Sequence, residues 1–408
     1  MSEVVIVGAG LAGLTCARRL QADGVECVVL EAGDAVGGRV RTDVVEGFRL
    51  DRGFQVLLTA YPAARKWLDY ERLELRKFSA GALVWCEGRK HRVSDPWREP
   101  GALWATLRAP VGSLADKMRI ATLRAAARRG TLDELFARPE RSAMAALRAH
   151  GFSERMIDRF MRPWLGGIFL DRELETSSRM LEFVFRMFAE GHAAVPAAGM
   201  QAIPEQLAAG LQGGTVRLGA KVEKLEPGAV RLTNGERVEA RQMVVATEGA
   251  VAAELMPEIA APAWRAVTVV YFAAPRSPLG EPTLMLNGAG RGLVNNVAVM
   301  SDVAPGYAPA GQALVAVAVL GESALDDAML AGRVRAELAE WFGAGVSEWR
   351  WLRNYRVRRA LPVRWPLERR APVAVRPGVW VAGDFAASAS LQGAMESGER
   401  VAEAILRG

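Results

Sequence analysis

Residues 4–13 read VVIVGAGLAG, in which four β-branched apolar residues run into Gly8, Gly10 and Gly13. The apolar run predicts a buried strand, and the residues after it predict a helix over residues 11–22. Gly8 allows a tight strand-to-helix turn, Gly10 lets the backbone approach a pyrophosphate, and Gly13 permits close packing of helix on strand. Phosphates lie against exposed N–H groups at such a helix N-terminus. The stretch predicts a nucleotide site, and a glycine-rich turn without a ligand is the alternative.

The residues after this helix complete a β-α-β pattern. Asp23 and Gly24 form a turn signal, and residues 27–31 read CVVLE, an apolar strand that ends in Glu31. A carboxylate about 20 residues after the glycines can accept hydrogen bonds from a ribose. Residues 37–39, Gly-Gly-Arg, follow at once. Together these features predict a dinucleotide site, with FAD as the dinucleotide.

Composition limits the class of protein. The chain has 408 residues, half of them hydrophobic, which suffices for two domains with a large core. Its net charge is +6, but only six of the 52 basic residues are lysine and the arginines are spread along the chain, so nucleic acid is not an expected partner. Three cysteines and three histidines, without a CxxC pair, predict neither disulfides nor a metal site.

The same features predict a location in reducing cytoplasm. The first strand begins by residue 4, so no signal peptide is expected, and no apolar run reaches the roughly 18 residues that a membrane span needs.

The predicted fold class is α/β: a discontinuous Rossmann-like FAD-binding domain with an inserted α+β substrate domain that contains a helical region. Strand patterns return after residue 215 and again at residues 379–382, where a strand, a glycine and a helix repeat the order of the N-terminus. The FAD-binding domain is predicted to comprise residues 1–75, 196–255 and 355–408. The substrate domain is predicted to comprise residues 76–195 and 256–354, with residues 100–191 mostly helical because apolar residues recur there every three or four positions.

These segments, in this order, resemble the flavin-containing amine oxidase superfamily, which also includes protoporphyrinogen oxidases and carotenoid desaturases. The resemblance spans nearly the whole chain. Its markers are the glycines of residues 8–13, Glu31-Ala32, the Gly-Gly-Arg of residues 37–39 with Thr42, the strands near residues 222 and 244–247, the Val-Ala-Gly-Asp of residues 381–384, and residues 392–400.

The resemblance implies noncovalently bound FAD and a role for each matching segment. Glu31 would hold the adenosine ribose, Arg39 would offset pyrophosphate charge, the backbone of Val222 would pair with adenine, and Asp384 would accept from the ribityl chain. N–H groups at the start of the last helix would face the flavin N1 and C2 carbonyl, where a helix dipole stabilises negative charge. The full set of implied FAD-binding residues is Gly8, Gly10, Leu11, Ala12, Gly13, Glu31, Ala32, Gly37, Gly38, Arg39, Gly53, Phe54, Gln55, Val56, Val222, Gly383, Asp384, Gln392, Gly393, Ala394 and Met395.

The sequence departs from amine oxidases of the superfamily at three points. Aligned by eye, Val267 stands where those enzymes carry a lysine near flavin N5, and Ser390 stands where they carry an aromatic residue. No cysteine follows Cys86, which excludes a cysteinyl flavin in the C-terminal third. Residues 354–362 and 162–169 resemble the desaturase and porphyrinogen-oxidase members instead. The expected reaction is hydride transfer from a large apolar substrate, with no assigned acid or base.

Contacts to that substrate are harder to predict, because aromatic stripes are usually core. His192 could shuttle a proton or be an ordinary histidine, and it stays unassigned. Residues 97–129 could form a basic amphipathic helix on anionic lipid or, as we favour, a helix packed on the substrate domain with a solvated basic face. The apolar candidates for substrate contact are Phe54, Met161, Trp164, Phe169, Phe183, Phe188, Trp264, Tyr271 and Phe272.

The predicted function is an FAD-dependent oxidoreductase that oxidises a hydrophobic polyene, a porphyrinogen-like compound or a similar substrate, with oxygen or another acceptor reoxidising the flavin. An atypical flavin amine oxidase is the enzymatic alternative. A noncatalytic binding protein like the prenyl-GTPase chaperones, which share this architecture, is the alternative of another class.

Overall fold

The computed structural model describes residues 2–369 and 373–407. Its strands are β1 (Ser2–Val7), β2 (Cys27–Leu30), β3 (Thr42–Val45), β4 (Phe48–Asp51), β5 (Leu57–Leu58), β6 (Arg76–Lys77), β7 (Gly81–Cys86), β8 (Arg89–Ser94), β9 (Ala193–Val195), β10 (Val216–Arg217), β11 (Val222–Glu226), β12 (Ala229–Leu232), β13 (Arg237–Val245), β14 (Trp264–Ala274), β15 (Leu284–Asn287), β16 (Val294–Val299), β17 (Ala313–Leu320), β18 (Arg350–Pro362), β19 (Ala374–Arg376) and β20 (Val379–Val381). Its α-helices are α1 (Leu11–Ala22), α2 (Pro62–Trp67), α3 (Leu103–Arg108), α4 (Leu114–Ala127), α5 (Leu132–Phe136), α6 (Ala143–Ala149), α7 (Glu154–Met156), α8 (Arg162–Phe169), α9 (Ser178–Glu190), α10 (Ala202–Ala209), α11 (Gly249–Leu255), α12 (Met300–Val303), α13 (Asp327–Phe342) and α14 (Leu391–Arg407).

The first large sheet gathers strands from the start, middle and end of the chain. Strands β10, β2, β1, β13 and β20 lie parallel in that order. The N-terminal half of β13 also pairs antiparallel with β12, which pairs antiparallel with β11. The predicted β1, α1 and β2 are confirmed, α1 with the predicted bounds. The carboxyl ends of β1 and β2 therefore lie side by side, which is where parallel sheets of this kind bind ligands.

The second large sheet has the order β18-β14-β17-β16-β15-β7-β8 and is antiparallel except between β15 and β7. Residues 81–86, 267–272 and 313–320, whose apolar patterns are typical of strands, all lie in strands of this sheet. Strand β15 was not predicted, and neither was the full length of β18. The predicted boundary between residues 354 and 355 falls inside β18, which pairs with β14 along its length.

Residues 103–190 are mostly helical, as predicted, and comprise α3 to α9 with a π-helical turn at Ile157–Met161. Serine and threonine residues begin several of these helices. The side chains of Ser113, Thr131 and Ser142 each accept a hydrogen bond from the third residue of the following helix, and this stabilises N-termini. The apolar faces pack into a core that continues under both large sheets.

Helix α14 closes the first sheet by packing tightly on α1. A β carbon added to Gly398 would lie 2.0 Å from the carbonyl oxygen of Ala12, whereas one added to Gly332, in the middle of α13, would meet nothing within 4 Å. Only glycine fits at the first position, but alanine fits at the second.

We therefore expect Gly398→Ala to lower the free energy of unfolding by about 1–3 kcal/mol, since the two backbones must move apart. Gly332→Ala is the matched control, and it should raise that free energy by up to about 1 kcal/mol through helix propensity. Urea unfolding of both variants measures the difference. Equal, small effects would contradict the close packing of the two helices.

Candidate functional site

A cavity of about 1220 Å³ begins at the carboxyl ends of β1 and β2 and extends between the two large sheets. Single-ligand pockets usually measure about 300–1,000 Å³, so this cavity can hold more than one molecule. Its lining includes most of the residues predicted to bind FAD, namely Gly8, Gly10, Leu11, Ala12, Glu31, Ala32, Gly37, Gly38, Arg39, Gly53, Phe54, Gln55, Val56, Val222, Gly383, Asp384 and Ala394.

The glycine loop has the geometry that its sequence predicts. Gly8 has a φ of +106°, and a β carbon there would lie 2.8 Å from the carbonyl oxygen of Ala246. Gly10 lines the cavity and has an ordinary φ of −74°, and nothing lies within 4 Å of where its β carbon would be. A side chain at residue 10 would therefore enter space that the fold leaves open for a ligand.

Glu31 is held rigidly beside this loop. Its carboxylate accepts hydrogen bonds from the backbone N–H groups of Ala9 (2.7 Å) and Gly33 (2.8 Å), and the Gly37 N–H donates to the Ala9 carbonyl (2.8 Å). These bonds join the glycine loop, the end of β2 and the Gly-Gly-Arg segment into one wall. Because a carboxylate has about four acceptor positions, Glu31 can still accept from a ribose.

Arg39 and Asp384 form an ion pair across the cavity wall. The Arg39 guanidinium donates to Asp384 Oδ1 (2.6 Å) and to the carbonyl of Ala360 (2.8 Å), and it lies 5.4 Å from the ring centre of Trp264. Burial opposes the charge of Arg39, but the nearby carboxylate of Asp384 raises the pKa of the guanidinium above its ordinary value. Arg39 therefore stays charged beside the predicted pyrophosphate position.

Gln55 offers an acceptor that the protein itself does not use. Its Nε2 donates to the carbonyl of Arg39 (3.0 Å), whereas its Oε1 is buried without a partner in the described structure. Buried polar atoms are normally hydrogen-bonded. Together with the open space at Gly10, this atom indicates that the wall is built for a bound group with hydrogen-bond donors, as FAD has.

Four of the predicted FAD residues do not line the cavity. Gly13 packs against the Gly8 carbonyl, Met395 is core, and the Gln392 side chain accepts from the Ala63 N–H (2.8 Å). The Gly393 N–H donates to Ser390 Oγ (3.0 Å), which places a serine cap on α14.

The prediction that the N–H groups at the start of α14 face the flavin is therefore wrong for Gly393 and Ala394. The N–H groups of Gly393 and Ala394 already donate to the side chain and carbonyl of Ser390. Ala394 and Leu391 do lie on the cavity wall.

The far half of the cavity is apolar and aromatic. Of the predicted substrate contacts, Phe54, Met161, Trp164 and Phe188 line it. The others do not: Phe169 lines a separate cavity of about 400 Å³, Phe183 stacks on Tyr61, Trp264 lies against Arg39, Tyr271 bonds to Asp51, and Phe272 packs on Trp349. Sequence reasoning missed Phe160 and Phe185, which pack on Trp164 and line the cavity.

The sequence departs from amine oxidases at Val267 and Ser390, and both residues line the cavity. The cavity wall therefore has an apolar side chain where those enzymes carry a lysine and a small side chain where they carry an aromatic residue. His192 also lines the cavity, and burial together with the positive charges of Arg98 and Lys77 lowers the pKa of its imidazole.

Asn296 is a polar group in this apolar half that sequence reasoning missed. The Asn295 amide donates to Asn296 Oδ1 (2.8 Å) and to the Pro163 carbonyl (3.0 Å), which fixes the orientation of the Asn296 amide. Asn296 Nδ2 is buried without a partner in the described structure, and the residue lines the cavity. Two asparagines in an apolar strand were the available signal, because asparagine is depleted in strands.

Asp51 is the centre of a group of buried polar residues that supports the cavity wall. Asp51 accepts hydrogen bonds from Thr42 Oγ1 (2.6 Å), the Met200 N–H (3.0 Å) and the Tyr307 hydroxyl (2.9 Å), and the Tyr271 hydroxyl donates to its carbonyl (2.9 Å). Burial raises the pKa of the Asp51 carboxyl to about 6, against the lowering effect of these bonds. This residue ties β4, which leads to Gly53, to the second sheet.

The α/β fold and this cavity define a dinucleotide-binding protein with room for an apolar second ligand. The sequence profile of the flavin-containing amine oxidoreductase family matches residues 11–406. The chain therefore belongs to this family of FAD-dependent oxidoreductases, and its cofactor is FAD.

The named relatives include an amino-acid oxidase and a porphyrinogen oxidase. The chain is 37% identical over 104 residues to an L-amino-acid oxidase of Sistrurus catenatus edwardsii, a match covering 25% of this chain and 20% of the relative. It is 31% identical over 170 residues to the coproporphyrinogen III oxidase of Mycobacterium leprae (strain TN), covering 40% of this chain and 36% of the relative. A solved putrescine oxidase has the same fold, with a TM-score of 0.73 and 19% identity over 100% of this chain and 99% of that one. The matched stretches span only a fifth to about a third of the sequence relatives.

We expect Gly10→Val to abolish flavin binding without unfolding the protein, because the new side chain fits the fold but fills the pyrophosphate position. The fraction of chains that retain flavin absorbance after gel filtration, and FAD released by heating, measure the effect. The affinity of the variant for FAD should fall at least about tenfold, which corresponds to about 1.4 kcal/mol or more of binding free energy.

The matched control for this change is Gly213→Val, since Gly213 also has nothing within 4 Å of its β carbon but does not line the cavity. Undiminished FAD in Gly10→Val would contradict this placement of the cofactor.

The Asp51 carboxyl predicts a stability effect at mildly acidic pH. Its folded pKa of about 6 lies above the unfolded value, so the folded state holds a proton that the unfolded state releases between about pH 4 and pH 6. The ionised carboxyl therefore costs stability, and the free energy of unfolding should fall as pH rises through this window, by at most about 3 kcal/mol. Asp51→Asn cannot titrate, so the difference between the two proteins in urea unfolding isolates the effect. A difference that stays constant with pH would contradict it.

Proposed function

We propose that the protein is an FAD-dependent oxidoreductase that oxidises a large hydrophobic substrate, such as a polyene or a porphyrinogen-like compound. The observation that carries this proposal is the apolar, aromatic half of the cavity, which is continuous with the dinucleotide wall. When bound, FAD supplies a hydride acceptor at N5. The electron acceptor would be oxygen or another compound.

We propose further that the first sheet with α1 and α14 is the FAD-binding domain. The second sheet and the helical region would then be the inserted substrate domain. The distribution of residues supports this division, because Glu31, Gly10 and Val222 follow strands of the first sheet or lie on it, whereas Asn296 and Val267 lie on the second.

The protein's own residues would orient the substrate more than act on it as acid or base. Phe160, Phe185 and Phe188 pack around Trp164 and give this half of the cavity an apolar wall. The free Asn296 amide would donate to an oxygen or nitrogen acceptor on the substrate and so fix its depth. Orientation of this kind lowers the barrier to hydride transfer without a strong base, and the proton that the substrate loses with the hydride would pass to solvent.

Val267 and Ser390 favour this substrate class over amines. A lysine and an aromatic residue at these positions were the features expected of a typical amine oxidase, and here the cavity wall has neither. The L-amino-acid oxidase relative keeps amine oxidation as the second candidate. The retained glycine loop, Glu31 and Asp384 on the cavity wall argue against a binding protein without flavin.

We expect anaerobic flavin bleaching with porphyrinogens or polyenes, and none with primary amines, polyamines or L-amino acids. The physical reason is that the apolar cavity lacks the lysine and the aromatic residue that would serve an amine. Stopped-flow absorbance of the holoprotein with each compound measures it. Bleaching by amines or amino acids alone would overturn the proposed substrate class.

The variant Asn296→Leu tests whether the Asn296 amide binds the substrate. For the compound that bleaches the flavin, the loss of one substrate hydrogen bond should lower kcat/KM about tenfold, while FAD content stays unchanged. Asn234→Leu, in an exposed hairpin turn, is the matched control.

A further inference from the structure

The largest group of exposed apolar side chains in the described residues lies on α3, α4 and the loop before them. We call this group the entrance surface, and its members are Trp97, Leu103, Trp104, Leu114 and Met118. Trp104 is 69% exposed and Met118 is 73% exposed. Contiguous exposed apolar residues of this size mark an interaction site in a folded protein.

The entrance surface surrounds an opening of the cavity. Trp97, Leu103, Leu114 and Met118 are exposed to solvent and also line the cavity, so the cavity reaches the outside between α3 and α4. Inward from them, Ile120 continues the apolar lining. The surface is therefore continuous with the proposed substrate half of the cavity.

Positive charge surrounds these apolar side chains. Residues 97–130 contain seven basic residues and two acidic ones, Glu99 and Asp116. Asp116 is fully buried and accepts hydrogen bonds from Ser113 and Ser153, and Glu99 accepts from the backbone N–H of Ala80. Both carboxylates are thus engaged, whereas Arg108, Arg128 and Arg129 are exposed, so the exposed charge of this segment is positive.

We propose that the entrance surface docks on an anionic phospholipid bilayer. Apolar and indole side chains enter the headgroup boundary, and arginines near the surface gain about 1 kcal/mol each from anionic lipid. A second copy of the chain fits less well, because a twofold contact would bring two such basic surfaces together. Among the described residues, no helix combines the length and the apolar character that crossing a membrane requires.

Docking would place the cavity opening against the lipid, where an apolar substrate is dissolved. Delivery of substrate by this route rests on the proposed function, but lipid binding itself does not. The two can fail separately, because lipid binding is measured without any substrate.

The test is sedimentation of the FAD-loaded protein with vesicles of phosphatidylcholine alone and of phosphatidylcholine with phosphatidylglycerol. We expect binding to the anionic vesicles that weakens with salt. Trp104→Ser/Met118→Ser should lower the vesicle partition coefficient at least about tenfold, since both side chains lose their place in the interface.

The matched control is Val44→Ser/Met329→Ser, which removes two apolar side chains of similar exposure, 70% and 52%, away from the entrance surface. This variant should bind as the unchanged protein does. Flavin content and thermal unfolding confirm that all three proteins are folded.

Three results would overturn the proposal. One is no sedimentation with either vesicle, and another is equal loss of binding in the control variant. The third is a dimer in solution that dissociates only in Trp104→Ser/Met118→Ser, which would assign the surface to self-association instead.

Discussion

One guanidinium holds together the three chain segments that form the cavity wall. Arg39 lies in the Gly-Gly-Arg segment after β2, its partner Asp384 follows β20, and its second acceptor, Ala360, lies on β18. Arg39 and Asp384 are more than 300 positions apart in the sequence. A cofactor cavity nevertheless requires the residues of its wall to be fixed within a fraction of an ångström. A partly buried arginine is tolerated because a carboxylate and a carbonyl satisfy its donors. Removal of Asp384 would leave that charge unpaired, so the pair specifies the geometry more than it adds stability.

The parts of the fold that could be predicted from the sequence are those with local signals. Strand β1 and helix α1 follow from an apolar run, glycines at fixed spacing and a turn at Asp23, all within 24 residues. Strand β18 has no such signal, since its arginines and apolar residues do not alternate with the period of two that marks a strand, and it lies at the edge of its sheet. Its partner β14 is far away in the sequence, so the pairing could not be predicted.

The same distinction applies to the candidate site. Residues that belong to contiguous motifs, such as Gly10 and Glu31, lie on the cavity as expected. The N–H groups of α14 do not behave as expected, because their use depends on which residue caps the helix, and Ser390 takes the Gly393 N–H. Aromatic residues follow the helical period whether they face the cavity or the core, so Phe183 and Phe185 could be separated only by the tertiary structure.

Access to the cavity constrains the order of events in any reaction there. A bound dinucleotide would occupy the end of the cavity beside Glu31 and Gly10, and the opening between α3 and α4 would lie next to the half that remains for substrate. An acceptor as small as oxygen could enter beside a substrate packed against Trp164. A larger acceptor that entered by this opening would meet the flavin only after the product had left. The position of the opening beside the substrate half therefore relates the size of the electron acceptor to the order of binding.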